Sequence, residues 1–145
     1  MADTETIRPN QIVLLDGGFD KSRLLRELAD RAATALGLDS AKLLAALLRR
    51  EELGSTGLGG GVAIPHTRIA GIDKPFSILA ILRPAIPFDA IDEQPVDVVF
   101  LLVAPDSGDA LKALAGISRI LREAPILERL RHAKSAQAAF DSLEA

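Results

Sequence analysis

His66 is one of two histidines in 145 residues, and it closes the stretch Arg49-Arg50-Glu51-Glu52-Leu53-Gly54-Ser55-Thr56-Gly57-Leu58-Gly59-Gly60-Gly61-Val62-Ala63-Ile64-Pro65-His66. Imidazole, with an ordinary pKa near 6.5, is largely neutral and nucleophilic at physiological pH. Five glycines (Gly54, Gly57, Gly59, Gly60, Gly61) fall within eight positions, and such a backbone can turn tightly and bring N–H groups close to an anion. Val62, Ala63 and Ile64 read as a short buried strand, and Pro65, which lacks an N–H, suits the place where a strand leaves its sheet. His66 is therefore predicted at a strand end. The glycines spell neither a Walker loop, since no Gly-Lys-Ser/Thr follows, nor a dinucleotide fingerprint, since Val62 stands where the third glycine belongs. A hydroxyl nucleophile is the weaker chemistry: Thr56 and Ser55 lie ten and eleven residues from His66, and no acid is assigned to orient the ring.

The run from Arg50 to His66 resembles the phosphorylation-site signature of the fructose and mannitol type enzyme IIA domains of the bacterial phosphoenolpyruvate-dependent phosphotransferase system. A second segment, Pro87-Phe88-Asp89-Ala90-x-Asp92-x-Gln94-Pro95-Val96-Asp97, resembles a downstream segment of the same family. Within the family the chain looks most like the nitrogen-related enzyme IIA proteins, and it has the length expected of a freestanding domain of that kind. The resemblance implies a histidine phosphotransferase component in which His66 accepts a phosphoryl group on Nε2 while a backbone carbonyl orients Nδ1. It also separates two arginines that sequence position alone does not: both Arg49 and Arg50 complement a helix dipole, but Arg50 matches the residue whose guanidinium lies beside the phosphohistidine. Further phosphate donors expected from the loop are the hydroxyls of Ser55 and Thr56 and the N–H groups around Gly57 and Gly59.

The donor implied is an HPr-like phosphocarrier, with no cofactor and no metal. The role implied is phosphorylation-dependent regulation of a target protein, a sensor kinase or a potassium transport component. A sugar-specific enzyme IIA passing phosphate to enzyme IIB is the alternative within the family. Two departures from the family pattern bear on the chemistry. Thr67 replaces the usual small residue after the histidine, and its hydroxyl either donates to phosphate or crowds the donor. Ala110 stands where many relatives carry a second histidine, and Lys112 is predicted on another helix face. These departures motivate a further alternative, a regulatory binding module with a degenerate phosphorylation site.

The elements that must position these residues are legible as an α/β pattern, a single domain with a mixed sheet flanked by helices. Residues 1–10 read as a polar loose end and 11–15 as a short strand before the turn at 16–18. A helix over Lys21 to Leu36 follows from the spacing of Leu24, Leu25, Leu28, Ala32, Ala35 and Leu36, with Asp20 as N-cap and Gly37 as its stop. A second helix begins after Ser40, presents Leu43, Leu44, Leu47 and Leu48, and ends near Glu52. Thr67 to Lys74 reads as a loop and Phe76 to Leu82 as a buried strand, with Pro84 and Pro87 confining the next stretch to an edge strand or irregular connection. Val96 to Ala104 is the central strand, Asp97 marking its solvated start. After a break over 105–109, a helix over 110–123 presents Leu111, Leu114, Ala115, Ser118 and Leu121, with Asp106 or Asp109 near its start. Short helices are expected from Pro125 to Arg131 and, capped by Ser135, to Leu143, leaving His132 at the surface.

Composition excludes several other functions. Apolar residues make up 48% and aromatic residues 3%, without Trp or Tyr, so the core must be aliphatic. A formal charge of −3 with mixed signs gives no basic field for nucleic acid. Without cysteine there is no disulfide, thiolate nucleophile or cysteine metal site. The N-terminal residues lack the features of a secretory signal, and no run approaches a membrane span, so a cytoplasmic protein without direct membrane insertion is expected.

Overall fold

The structure, a computed structural model, describes residues 7–106 and 110–144. Strand β1 (Ile12–Asp16) leads into α1 (Lys21–Leu36) and α2 (Ser40–Glu52). Three short strands follow, β2 (Gly57–Gly59), β3 (Val62–Ala63) and β4 (His66–Ile69), then two long ones, β5 (Phe76–Ile86) and β6 (Val96–Pro105). Helices α3 (Ala110–Leu121), α4 (Ala124–Arg131) and α5 (Ala136–Glu144) complete the order. Among the described residues the strands form one mixed sheet in the order β1-β5-β6-β3-β2, with β4 also paired to β6. The expected architecture, a mixed sheet flanked by helices, is the one observed.

The sheet separates two aliphatic cores. On one face α1 and α2 pack Leu24, Leu25, Leu28, Leu43 and Leu47 against Ile78, Ala80, Val99, Leu101 and Val103. On the other, Ile117, Ile120, Leu121, Ile126, Leu130 and Leu143 cover Leu79, Ile81, Val98, Phe100 and Leu102. Strand alternation sends successive residues of β5 and β6 to opposite cores. This is why both strands are almost continuously apolar.

The termini of α1 are those predicted: the Asp20 carboxylate accepts from the Arg23 N–H at 2.8 Å and Gly37 closes the helix at φ 69°. Helix α2 differs by a residue, because Asp39 rather than Ser40 caps it, accepting from the N–H groups of Ala41 and Lys42. Four other expectations are corrected. The supposed loose end is anchored from Ile7, which is buried, and Pro9–Gln11 forms a 3-10 turn. Residues 67–69, expected to open a loop, continue from His66 as a strand that pairs in parallel with Leu102–Pro105 of β6. Strand β5 runs through Pro84 to Ile86; Pro84 is accommodated because pairing with β6 is irregular between Ile81 and Ile86, where no N–H is required of it. Finally, α3 buries Gly116, Ile117, Ile120 and Leu121, whereas Leu111 is 73% exposed. Asp109, considered as a cap of α3, lies outside the described residues.

Candidate functional site

The path from α2 to His66 is held at several points. At the end of α2, Glu51 accepts from the backbone N–H and hydroxyl of Thr56 and pairs with Lys21 at 2.9 Å. The Ser55 hydroxyl donates to the Phe88 carbonyl at 2.8 Å and accepts from the Gly57 N–H at 3.0 Å. Both hydroxyls expected to face phosphate are thus engaged in fixing the loop. Gly57 is required by space: a Cβ there would lie 2.8 Å from that of Ala90. At the tip, the Gly60 N–H donates to Asp92 at 3.0 Å, and together with the Gln94 N–H it holds the Asp92 carboxyl below its ordinary pKa.

Across the tip lies a pairing the sequence did not reveal. Arg131, in the last turn of α4, donates from Nε to both carboxylate oxygens of Asp97 at 2.9 Å and from Nη2 to the Gly60 carbonyl at 2.6 Å. Asp97 is therefore not simply a solvated strand start. Its carboxylate ties β6 and α4 to the glycine turn that leads into β3. Gly61 permits this approach, since a Cβ at its φ of 83° would lie 2.5 Å from the Arg131 guanidinium.

Beyond β3, Ile64 and Pro65 are buried, and His66 emerges as the first residue of β4. Its Nδ1 lies 2.7 Å from the Ile64 carbonyl. A carbonyl only accepts, so Nδ1 carries the proton and Nε2 keeps its lone pair. That lone pair faces Arg50, whose Nε donates to it at 3.3 Å while Nη1 donates to the Gly54 carbonyl at 2.8 Å. Burial lowers the His66 pKa and so does the Arg50 charge, against the opposing influence of the Ile64 carbonyl and Glu51. The net result is a neutral ring with one tautomer and an available Nε2, beside a guanidinium fork suited to phosphoryl oxygens.

His66 and Arg50 both line a cavity of about 270 Å³. Arg50, His66, Thr67 and Arg68 form its polar side, and Leu102, Ala104, Ala110, Leu111 and Leu114 its apolar side. Of the residues singled out from the sequence, His66, Arg50 and Thr67 come together here. Ser55, Thr56, Gly57 and Gly59 do not line this cavity. The Thr67 hydroxyl donates to the Arg68 carbonyl at 3.3 Å. Ala110 forms part of the wall, while Lys112 is exposed and is not a lining residue. Sequence reasoning missed Arg68; reading 66–69 as a strand would have found it, because His66 and Arg68 then share a face.

The model of the family described as phosphoenolpyruvate-dependent sugar phosphotransferase system, EIIA 2, matches residues 5–145. The chain belongs to this family. It is 41% identical to a nitrogen regulatory protein of Bradyrhizobium diazoefficiens, over 99% of this chain and 95% of the relative. It is 35% identical to one of Pseudomonas aeruginosa, over 94% and 90%. The crystal structure of nitrogen regulatory protein IIA-Ntr from Neisseria meningitidis superposes with a TM-score of 0.89 at 34% identity, covering 99% of both chains. This enzyme IIA chain is thus a phosphotransferase-system component whose likeness is to the nitrogen regulatory branch. No helix among its described residues is long and apolar enough to cross a membrane.

Proposed function

We propose that this chain is a phosphocarrier that takes a phosphoryl group on His66 Nε2 from an HPr-like carrier, and that its phosphorylation state regulates a target protein, a sensor kinase or a potassium transport component. One observation carries the reading: Nδ1 is committed to the Ile64 carbonyl, so the remaining lone pair, on Nε2, faces Arg50, and both residues line the open cavity. In the transfer, that lone pair forms the new N–P bond while the electron pair of the donor's N–P bond returns to the donor ring. The Nδ1 proton stays on the ring, held by Ile64. Arg50 Nε, losing its acceptor at Nε2, turns to a phosphoryl oxygen while Nη1 remains tethered to Gly54. This is catalysis by positioning and charge stabilisation.

The regulatory role is supported by the likeness to nitrogen regulatory proteins over nearly the whole chain. A second reading, a binding module with a degenerate acceptor, is favoured by Ala110 in the cavity wall, where an imidazole would have added a donor. Intact-mass analysis after incubation with phosphoenolpyruvate, enzyme I and a cognate carrier separates the two. The phosphocarrier reading requires an acid-labile gain of one phosphoryl group in wild type and none in His66→Ala. Wild type that stays unmodified while Ala110→His gains the group favours the degenerate module.

A further inference from the structure

We propose that Arg68 is a second phosphoryl-holding residue, turning onto the group carried at His66 Nε2 and supplying a second positive charge beside that of Arg50; this rests on His66 being the acceptor. The placement comes from β4 itself. His66 pairs with Leu102 and Arg68 with Ala104, and residues two apart on a strand project from the same face, about 6.6 to 6.8 Å apart along it. Leu102 and Ala104 also line the His66 cavity, as does Arg68. An arginine's long stem covers that span.

The two guanidiniums differ in their freedom. Arg50 is held at Nε by His66 and at Nη1 by the Gly54 carbonyl. Arg68 is exposed, and among the described residues its guanidinium has no hydrogen bond or ion pair. A phosphoryl group brings a charge of about −1.5 to −2 and three acceptor oxygens. Arg50 balances roughly one unit of that charge. Among the described residues no carboxylate lines the cavity to compete for a second cation, and Ala104 and Ala110 offer the phosphoryl group no side-chain donor. Arg68 is the further lining cation that can meet the remaining oxygens.

The test is the equilibrium constant for phosphoryl exchange between this protein and its phosphorylated carrier, measured by intact mass for wild type, Arg68→Gln and Arg68→Lys. An equilibrium constant compares phosphorylated with free protein and does not depend on how well the carrier docks. Arg68→Gln should lower the phosphorylated fraction at a fixed carrier ratio by about tenfold in equilibrium constant, and Arg68→Lys should recover most of it. The ³¹P resonance of the phosphohistidine should move in Arg68→Gln, with unfolding unchanged. An unaltered equilibrium constant and ³¹P spectrum in Arg68→Gln overturn the proposal, including when its transfer rate falls, because Arg68 would then serve only carrier docking. Wild type that takes no phosphoryl group, or His66→Ala that takes one, overturns the acceptor reading instead.

Discussion

At the scale of the residue, the proposed chemistry rests on one imidazole whose two nitrogens have different partners. Because burial and Arg50 depress the His66 pKa, the neutral nucleophile persists to lower pH than it would on a free histidine. The decline of initial transfer rates as pH falls should be centred below 6.5, the ordinary histidine value; a decline centred at or above 6.5 would contradict this environment. The linked effect on stability has the same direction. A folded-state pKa below the unfolded one means the unfolded chain binds more protons in that window, so the contribution of His66 is complete above the unfolded value and is lost as pH falls through the folded one. Replacing Arg50 by Gln should slow transfer about 100-fold while the chain remains folded, since the side chain lies at the cavity and outside both cores. Stopped-quench incorporation of phosphate would measure this.

At the scale of the element, the glycine hairpin shows how much structure serves a few atoms. Arg131→Ala removes bonds from Asp97 and from the Gly60 carbonyl, and should cost about 1.5 to 3 kcal/mol in urea unfolding. Gly57→Ala drives a methyl into Ala90 and should cost about 1 to 3 kcal/mol. Elements with a local signature were legible in the sequence: α1, through its apolar spacing, Asp20 and Gly37, and β6, through its apolar run. Strand β4 was not, because its four residues include three polar ones and its pairing with β6 is a long-range fact. The α3 face was misassigned for a different reason. Leu111 has the spacing of a core residue, yet it stands exposed over the His66 cavity, so local rules failed beside the site. The Asp97–Arg131 pair was equally hidden, joining residues 34 positions apart.

At the scale of the whole molecule, fold class was legible because both long strands are buried on two faces, a pattern that demands helices above and below. Of the residues the motif singles out, Arg50, His66 and Thr67 share one cavity, whereas the cavity's boundary had no signal in the motif. Ser55 and Thr56 read as phosphate donors and instead fasten the loop to Phe88 and Glu51. What the motif could not disclose is which layer each member belongs to. Arg50 arrives on α2, a helix of one core, while His66 and Arg68 project toward the other, where Leu102 and Leu114 pack.

The sheet edge at β4 therefore brings together parts that neither layer possesses alone, and under the proposed function phosphoryl acceptance becomes a built-in assay of conformational integrity. A chain in which only one core has consolidated has an imidazole without its guanidinium, or the reverse. Across a urea titration, the loss of acceptor competence should coincide with the loss of far-ultraviolet circular dichroism and of the most protected amide hydrogens. An acceptor that fails well before them would mean that the sheet edge opens as a separate unit. Coincidence would make each labelled molecule a count of correctly assembled ones.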